Sequence, residues 1–294
     1  MVNILKKLNN FLKKGDNMSQ KSYDNSPTLY LIPTPIGNMD DITLRAIKTI
    51  EQVDFLLTED TRVTGLLLNH LNIKKHMIAN HKFNEEKNRN LVLEALKEGK
   101  NIGLVSDRGT PVISDPGYEI AAFVIKEGYN VIALPGATAL IPALICSGLE
   151  PMPFLYYGFL NNKATQRDKE LKELSELKNT FIIYEAPHRL EKTLIAMMEI
   201  LGNRKISISR EISKKYEEIY RGTIEEIIPL IKDVKGEIVI VVEGNKNKKE
   251  FSSDNILEKI ELLIEDGSKP MDAIKIVAKE FNIPKSEVYN LYHK

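Results

Sequence analysis

A chain of 294 residues, 43% hydrophobic and 28% charged, has the composition of a globular protein long enough for two domains and a small appendage. Its 41 Lys plus Arg balance 41 Asp plus Glu, so bulk attraction to nucleic acid is excluded and any such binding must use a local patch. The one cysteine excludes an intramolecular disulfide, and no apolar run reaches the roughly 20 residues that cross a bilayer, so no membrane partner is expected.

Residues 1–17 place Ile4, Leu5, Leu8, Phe11 and Leu12 on one helical face, interrupted by Lys6, Lys7, Lys13 and Lys14. A basic amphipathic helix of this kind can lie on membranes. The favoured expectation is that Met18 is the natural start, with 1–27 a flexible extension. A secretory signal's continuous apolar stretch and cleavage site are both missing, which points to the cytoplasm.

Apolar runs at 29–32, 55–58, 101–105 and 131–134 read as strands. Helical patterns at 43–52, 87–98, 118–127 and 138–147 alternate with them. Such alternation predicts a mostly parallel sheet covered on both faces, in a first domain spanning 28–148. Cys146 falls on the Ala139–Ala143–Cys146 side of the last helix and reads as a small core residue. A second α/β domain, 149–245, has strands at 154–157, 180–184, 206–209 and 238–242 and helices at 165–177, 189–201 and 224–231. The direction of the strands at 131–134 and 206–209 is not fixed by the pattern. A Lys-bearing linker, 246–255, leads to three short helical patterns at 256–264, 271–281 and 285–292, a helix-turn-helix-like unit over 256–294.

Three strand-end turns share one grammar: Pro33-Thr34-Pro35-Ile36-Gly37-Asn38, Ser106-Asp107-Arg108-Gly109-Thr110-Pro111 and Leu134-Pro135-Gly136-Ala137-Thr138. In open α/β sheets, ligands bind outside the C-terminal ends of strands, so these turns predict one small-molecule cleft. Asp107 stands at a strand terminus, where a carboxylate can accept from ribose hydroxyls. Asp115 resembles an Asx-turn or helix N-cap residue. Glu59-Asp60-Thr61-Arg62 reads as a loop in which Arg62 can hold a phosphate and Glu59 or Asp60 a sugar hydroxyl. Tyr184 can stack on a base or sit at the edge of the core. A P-loop, a dinucleotide fingerprint and a nucleophile elbow are all missing. The five histidines have no metal-ligand spacing. A cleft without covalent or metal machinery fits a transfer in which a cofactor carries the reactive atom.

Over residues 29–244 these motifs resemble the tetrapyrrole-methylase superfamily of S-adenosylmethionine-dependent methyltransferases. The resemblance rests on Pro-Thr-Pro-Ile-Gly-Asn, Asp41-Ile42-Thr43-Leu44-Arg45-Ala46, Glu59-Asp60-Thr61-Arg62, Ser114-Asp115-Pro116-Gly117, Leu134-Pro135-Gly136, Tyr184-Glu185-Ala186-Pro187-His188-Arg189 and the apolar strand ending in Glu243-Gly244. Within that superfamily, the match is close to the branch that modifies small-subunit ribosomal RNA. It implies two α/β domains with the cofactor cleft between them, a small C-terminal helical domain and a homodimer. It also implies 2′-O-methylation of a cytidine in the decoding region of 16S rRNA, alone or in the assembling small subunit. By motif position Ile36, Asp107, Thr138, Ala139 and Tyr184 line the S-adenosylmethionine pocket, within the wider set of Pro35, Gly37, Ser106, Gly109, Thr110, Pro111, Gly136 and Ala137 from the turns. Glu59, Arg62, Glu185, His188 and Arg189 face the RNA. Base candidates are Asp107, Glu59, Asp60, His81 and His188. Arg108 departs from the family's small residue, and is expected to point outward to a phosphate or to a carboxylate such as Asp115. Two other readings stay open: a tetrapyrrole or protein methyltransferase of the same fold, and a non-enzymatic nucleic-acid binder using the helical tail.

Overall fold

The computed structural model describes residues 19–22, 24–81, 84–246, 253–281 and 283–293. The amphipathic reading of 1–17 and most of the linker therefore lie outside the described residues. Two compact units emerge, Met1–Asn245 and Lys246–Lys294.

In the first unit, strands β1 (Thr28–Leu31), β2 (Phe55–Thr58), β3 (Met77–Ala79), β4 (Ile102–Val105) and β5 (Asn130–Ala133) form a sheet of order β3-β2-β4-β1-β5. Every pairing in it is parallel. Alternate side chains feed separate cores on its two faces. Leu57, Ile102 and Leu104 pack on one side, while Leu56, Val105 and Ile132 pack on the other. The α/β class read from alternation holds. Two elements were hidden in the sequence. The helix Thr61–His70 carries Thr61, Val63, Thr64 and a central Gly65, all weak helix formers, yet it forms because Thr64, Leu67 and Leu68 bury. The strand β3 is three residues long, too short to show a period.

The second sheet joins β6 (Phe154–Phe159), β7 (Thr180–Glu185), β8 (Lys205–Arg210), β9 (Glu218–Thr223) and β10 (Ile238–Val242) in the order β6-β7-β10-β8-β9. Only β6 and β7 run parallel; the other pairings are antiparallel, which settles the direction of the 206–209 segment. The edge strand β9 escaped prediction because it buries no residue fully. One face packs Phe181, Ile183, Ile208 and Ile240 under helices that include Leu190–Leu201. The other face receives the helix Leu140–Cys146, whose Ala143 and Leu144 meet Ile182, Val239 and Val241. Cys146 is exposed, correcting its reading as a core residue. The buried arc of that helix centres on Ala143, Leu144 and Ser147, about 110° away at 100° per residue.

In the second unit, helices Ser253–Glu265, Pro270–Glu280 and Lys285–Tyr292 enclose Ile256, Ile260, Ile274, Val277 and Val288. No helix among the described residues is long and apolar enough to cross a membrane.

Candidate active site

In the first sheet, neighbours β1 and β4 send their following connections to opposite sides of the sheet, one toward β2 and the other toward β5. This is a topological switch point, where the loops part and leave a crevice. The two loops are tied at its floor. Thr34 N–H donates to Gly109 O and Gly109 N–H to Thr34 O, both at 2.9 Å. The buried Ser106 hydroxyl donates to Gly109 O at 3.1 Å, and Thr34 Oγ1 donates to Ser106 O at 3.1 Å.

Above this crevice opens a cavity of about 630 Å³. The first sheet contributes Ile36 after β1, Glu59 and Val63 after β2, seven residues of 107–115 after β4, and Thr138 and Ala139 after β5. The second sheet contributes Phe159, Tyr184 to Pro187, Ile212 and Gly236 to Val239. These come together because antiparallel pairing sets the start of β10 beside the ends of β7 and β8: Ile238 pairs with Glu185 and with Arg210.

Of the residues read as cofactor contacts, Ile36, Asp107, Gly109, Thr110, Thr138, Ala139 and Tyr184 stand on the cavity wall, whereas Pro35, Gly37, Ser106, Pro111, Gly136 and Ala137 do not. Several of the second set hold the turns instead. A Cβ on Gly136 would lie 2.6 Å from Pro33 Cβ, and one on Gly37 would strike the Lys214 stem. The Ala137 carbonyl accepts from Thr110 Oγ1 at 2.9 Å.

Five carboxylates line the cavity: Glu59, Asp107 and Asp115 from the first sheet, and Glu185 and Glu237, both held in ion pairs, from the second. Among the described residues no group of three or more His, Cys, Asp or Glu is arranged to hold a metal ion. Burial, then the Asp107 charge, raises the Glu59 carboxyl above its ordinary value. Burial is also the main cause of the rise at Asp107, opposed by the Asp60 amide that donates to its Oδ1 at 3.0 Å. Asp115 is pushed up to about 7, by burial first and by the Glu59 charge second. It caps no helix: Gly117 occupies the N-cap of Tyr118–Lys126, and its amide donates to Glu85 Oε1 at 2.5 Å. Burial also raises the Tyr184 and Tyr156 phenols, which keeps both protonated. Tyr156 hydrogen-bonds Ser114 Oγ at 2.7 Å, and its ring meets Tyr184 edge to face with centroids 5.1 Å apart.

The remaining candidates need correction. Asp60 is the N-cap of Thr61–His70, and its carboxylate grips Arg62, whose hydrogen bonds hold it down to about 2. A carboxylate so stabilised is a poor base. Arg62 thus sits in a helix, not a loop; it is exposed and paired with Asp60. His81 and His188 are exposed and off the cavity wall. Arg189 is consumed internally. It pairs with the buried Glu185 at 3.1 Å, donates to Leu160 O at 2.8 Å and also bonds Asn162. Glu185 further accepts from Thr193 Oγ1 at 2.6 Å, so this pair braces the wall and leaves little for a substrate.

Arg108 does not reach Asp115. It crosses the cavity mouth to Glu237, which also receives Lys214 at 3.0 Å, and Lys214 in turn holds Glu211 at 2.7 Å. Phe159, Ile212 and Gly236 to Val239 were not foreseen as wall residues. The Gly-Glu step ahead of the apolar 238–242 run was the available signal for the last group.

Residues 28–228 match the family described as Tetrapyrrole (Corrin/Porphyrin) Methylases. The chain is 46% identical over 273 residues to "Ribosomal RNA small subunit methyltransferase I" of Bacillus subtilis (strain 168), covering 90% of this chain and 94% of that protein. It is 45% identical to the protein of the same name in Halalkalibacterium halodurans, covering 94% of this chain and 99% of the relative. Among solved structures, uroporphyrin-III C-methyl transferase from Thermus thermophilus complexed with S-adenyl homocysteine superposes with a TM-score of 0.54 at 19% identity, over 74% of this chain and 97% of that one. That likeness speaks for the fold alone.

Proposed function

Because the chain belongs to the tetrapyrrole methylase family and groups with ribosomal RNA small subunit methyltransferase I proteins, we propose that it uses S-adenosylmethionine to methylate small-subunit ribosomal RNA, at the 2′-oxygen of a cytidine ribose in the decoding region of 16S rRNA. Such a substrate implies work in the cytoplasm. The observation that carries the cofactor reading is one cavity walled by both sheets, with Glu59, Asp107 and Asp115 on its first-sheet wall and apolar side chains on both walls.

That wall suits the cofactor's chemistry. Glu59 and Asp107 answer a positive sulfonium and ribose hydroxyls, while Ile36, Phe159, Ile212 and Val239 offer apolar faces to an aromatic ring. Gly109 keeps the backbone approachable: its φ is +78°, and a Cβ there would come within 3.2 Å of Ile36 Cγ2. Ile36, Asp107, Thr138, Ala139 and Tyr184 are the residues assigned to hold it. When bound, S-adenosylmethionine supplies a methyl group already activated on sulfur. The chain's own tasks are then to orient the ribose, exclude water and take up the hydroxyl proton. Glu59 stands on the wall near the exposed Arg62, which is suited to meet an RNA phosphate. A homodimer is proposed through the edge strand β6, where Phe154, Leu155 and Tyr157 are exposed beside Met152. Sedimentation of a Leu155→Lys variant as a monomer would support it; an unchanged parent monomer would refute it.

Transfer of radiolabelled methyl to small ribosomal subunits and to naked 16S rRNA, followed by nucleoside digestion, tests the activity. The expected product is 2′-O-methylcytidine. A base-methylated nucleoside would overturn the ribose assignment, and no transfer to either RNA would overturn the substrate.

A further inference from the structure

The segment that carries Asp115 is strained. Within nine residues, Gly109, Val112, Ser114 and Gly117 have φ of +78°, +78°, +65° and +123°. A β-branched valine in that region is an outlier, and such strain persists only where surroundings over-determine it. Here they do. Thr110 is tied to Ala137, Ser114 to Tyr156, and Gly117 to Glu85, and the fixed loop turns Asp115 into the cavity.

The three carboxylates on the first-sheet wall differ in their partners. Asp107 accepts from the Asp60 amide, and Glu59 from the Asp107 amide. An amide can only donate, so it favours the ionised carboxylate. Asp115 faces the Ser106 hydroxyl instead. A hydroxyl donates to a carboxylate but also accepts from a carboxylic acid. The Ser106 hydroxyl already donates to Gly109 O at 3.1 Å, so it is not committed to the Asp115 carboxylate as an amide would be. Asp115 alone among the three has no backbone amide holding it in the ionised state.

We propose that Asp115 is the catalytic residue that accepts the proton of the attacking ribose hydroxyl, an inference that rests on the methyl-transfer reading above. A bond forms between the ribose oxygen and the methyl carbon. The carbon–sulfur bond breaks with its electron pair staying on sulfur, and the hydroxyl proton passes to Asp115. The charged groups around Asp115 fit this role. Glu59 faces it from the end of β2 and Asp107 from its own loop, with the neutral Tyr156 and Tyr184 phenols opposite. Arg108, nearby in sequence, is spent on Glu237. Together with burial these neighbours hold Asp115 near neutrality, where a base works best.

The test measures methyl transfer to small subunits against pH, S-adenosylhomocysteine affinity by calorimetry, and aspartate carboxyl titration by NMR on the unliganded protein. The parent rate should rise through one deprotonation near pH 7, with one aspartate carboxyl titrating in the same range. Asp115→Asn should lower kcat by about 100- to 1000-fold, remove both the inflection and that carboxyl signal, and bind S-adenosylhomocysteine within about threefold of the parent. Glu59→Gln removes a neighbouring negative charge and should move the inflection to lower pH, which decides the matter even if Asp115→Asn does not fold. An Asp115→Asn protein that keeps the parent rate and inflection overturns the assignment, as does one that is folded but loses ligand binding together with activity. If the parent itself moves no methyl to RNA, the functional reading falls and this inference with it. If the parent is active and Asp115→Asn equals it, only the inference falls.

Discussion

The two sheet edges that face each other across the cavity are built by different rules. In the first sheet all strands are parallel, so every strand delivers its C-terminal end to the same edge, and the loops after β1, β4 and β5 are shaped by glycine and proline. In the second, antiparallel pairing mixes strand ends (Phe159, Tyr184, Ile212) with a strand start (Gly236 to Val239). Their chemistry divides accordingly. The first edge holds Glu59, Asp107 and Asp115, which form no salt bridge among the described residues. The second edge is aromatic and apolar, and its charged residues Glu185 and Glu237 are neutralised by Arg189, Arg108 and Lys214. In the proposed function, one edge supplies reactive groups and the other a braced surface that holds a ligand against them.

The strongest way to break this contrast is to remove the brace. Arg189→Ala leaves the fully buried Glu185 side chain without its cation, and should cost about 3–5 kcal/mol in urea unfolding. A loss under about 1 kcal/mol would mean that Thr193 and the Ala186 amide alone satisfy Glu185.

The next test sits on the first edge. Asp107→Ala removes a charged acceptor at a strand end, and should weaken S-adenosylmethionine binding by about 10- to 100-fold at nearly constant stability. Calorimetry showing unchanged affinity would remove Asp107 from the cofactor site.

Asp115 gives a pH test of stability. Its carboxyl lies near 7 when folded, against an ordinary 3.8. The folded state therefore binds the proton more tightly, and this group's contribution to stability falls as pH rises between those values. Asp115→Asn abolishes that loss. The variant should melt a few degrees above the parent at about pH 8, and the gap should close toward about pH 4. A constant gap would show that Asp115 is not held near neutrality.

The smallest effect is expected across the mouth. Arg108→Ala breaks a solvent-exposed pair with Glu237, worth at most about 1 kcal/mol, and should change S-adenosylmethionine affinity less than about threefold. A larger, salt-sensitive change would make Arg108 part of the ligand site.

The same contrast explains what the sequence could reveal. Parallel grammar made the first edge legible: the 55–58 run is β2 residue for residue, and the loops after β1, β4 and β5 all reach the cleft. The second edge was less legible, because a strand start such as Gly236-Glu237 is not where strand-end reasoning looks. Arg189 read as a substrate contact because its partners, Leu160 and Asn162, are distant in sequence. Asp115 was hidden for a different reason. Ser-Asp-Pro-Gly has the chemistry of a cap, and its inward aim depends on left-handed Val112 and Ser114, conformations that the residue types argue against.

Hydrogen–deuterium exchange with and without S-adenosylhomocysteine tests the central claim most directly. If the ligand lies between the two edges, protection should appear together at 107–115 and 138–139 on the first edge and at 184–187 and 236–239 on the second. Protection confined to one edge, or found only elsewhere in the chain, would contradict the account.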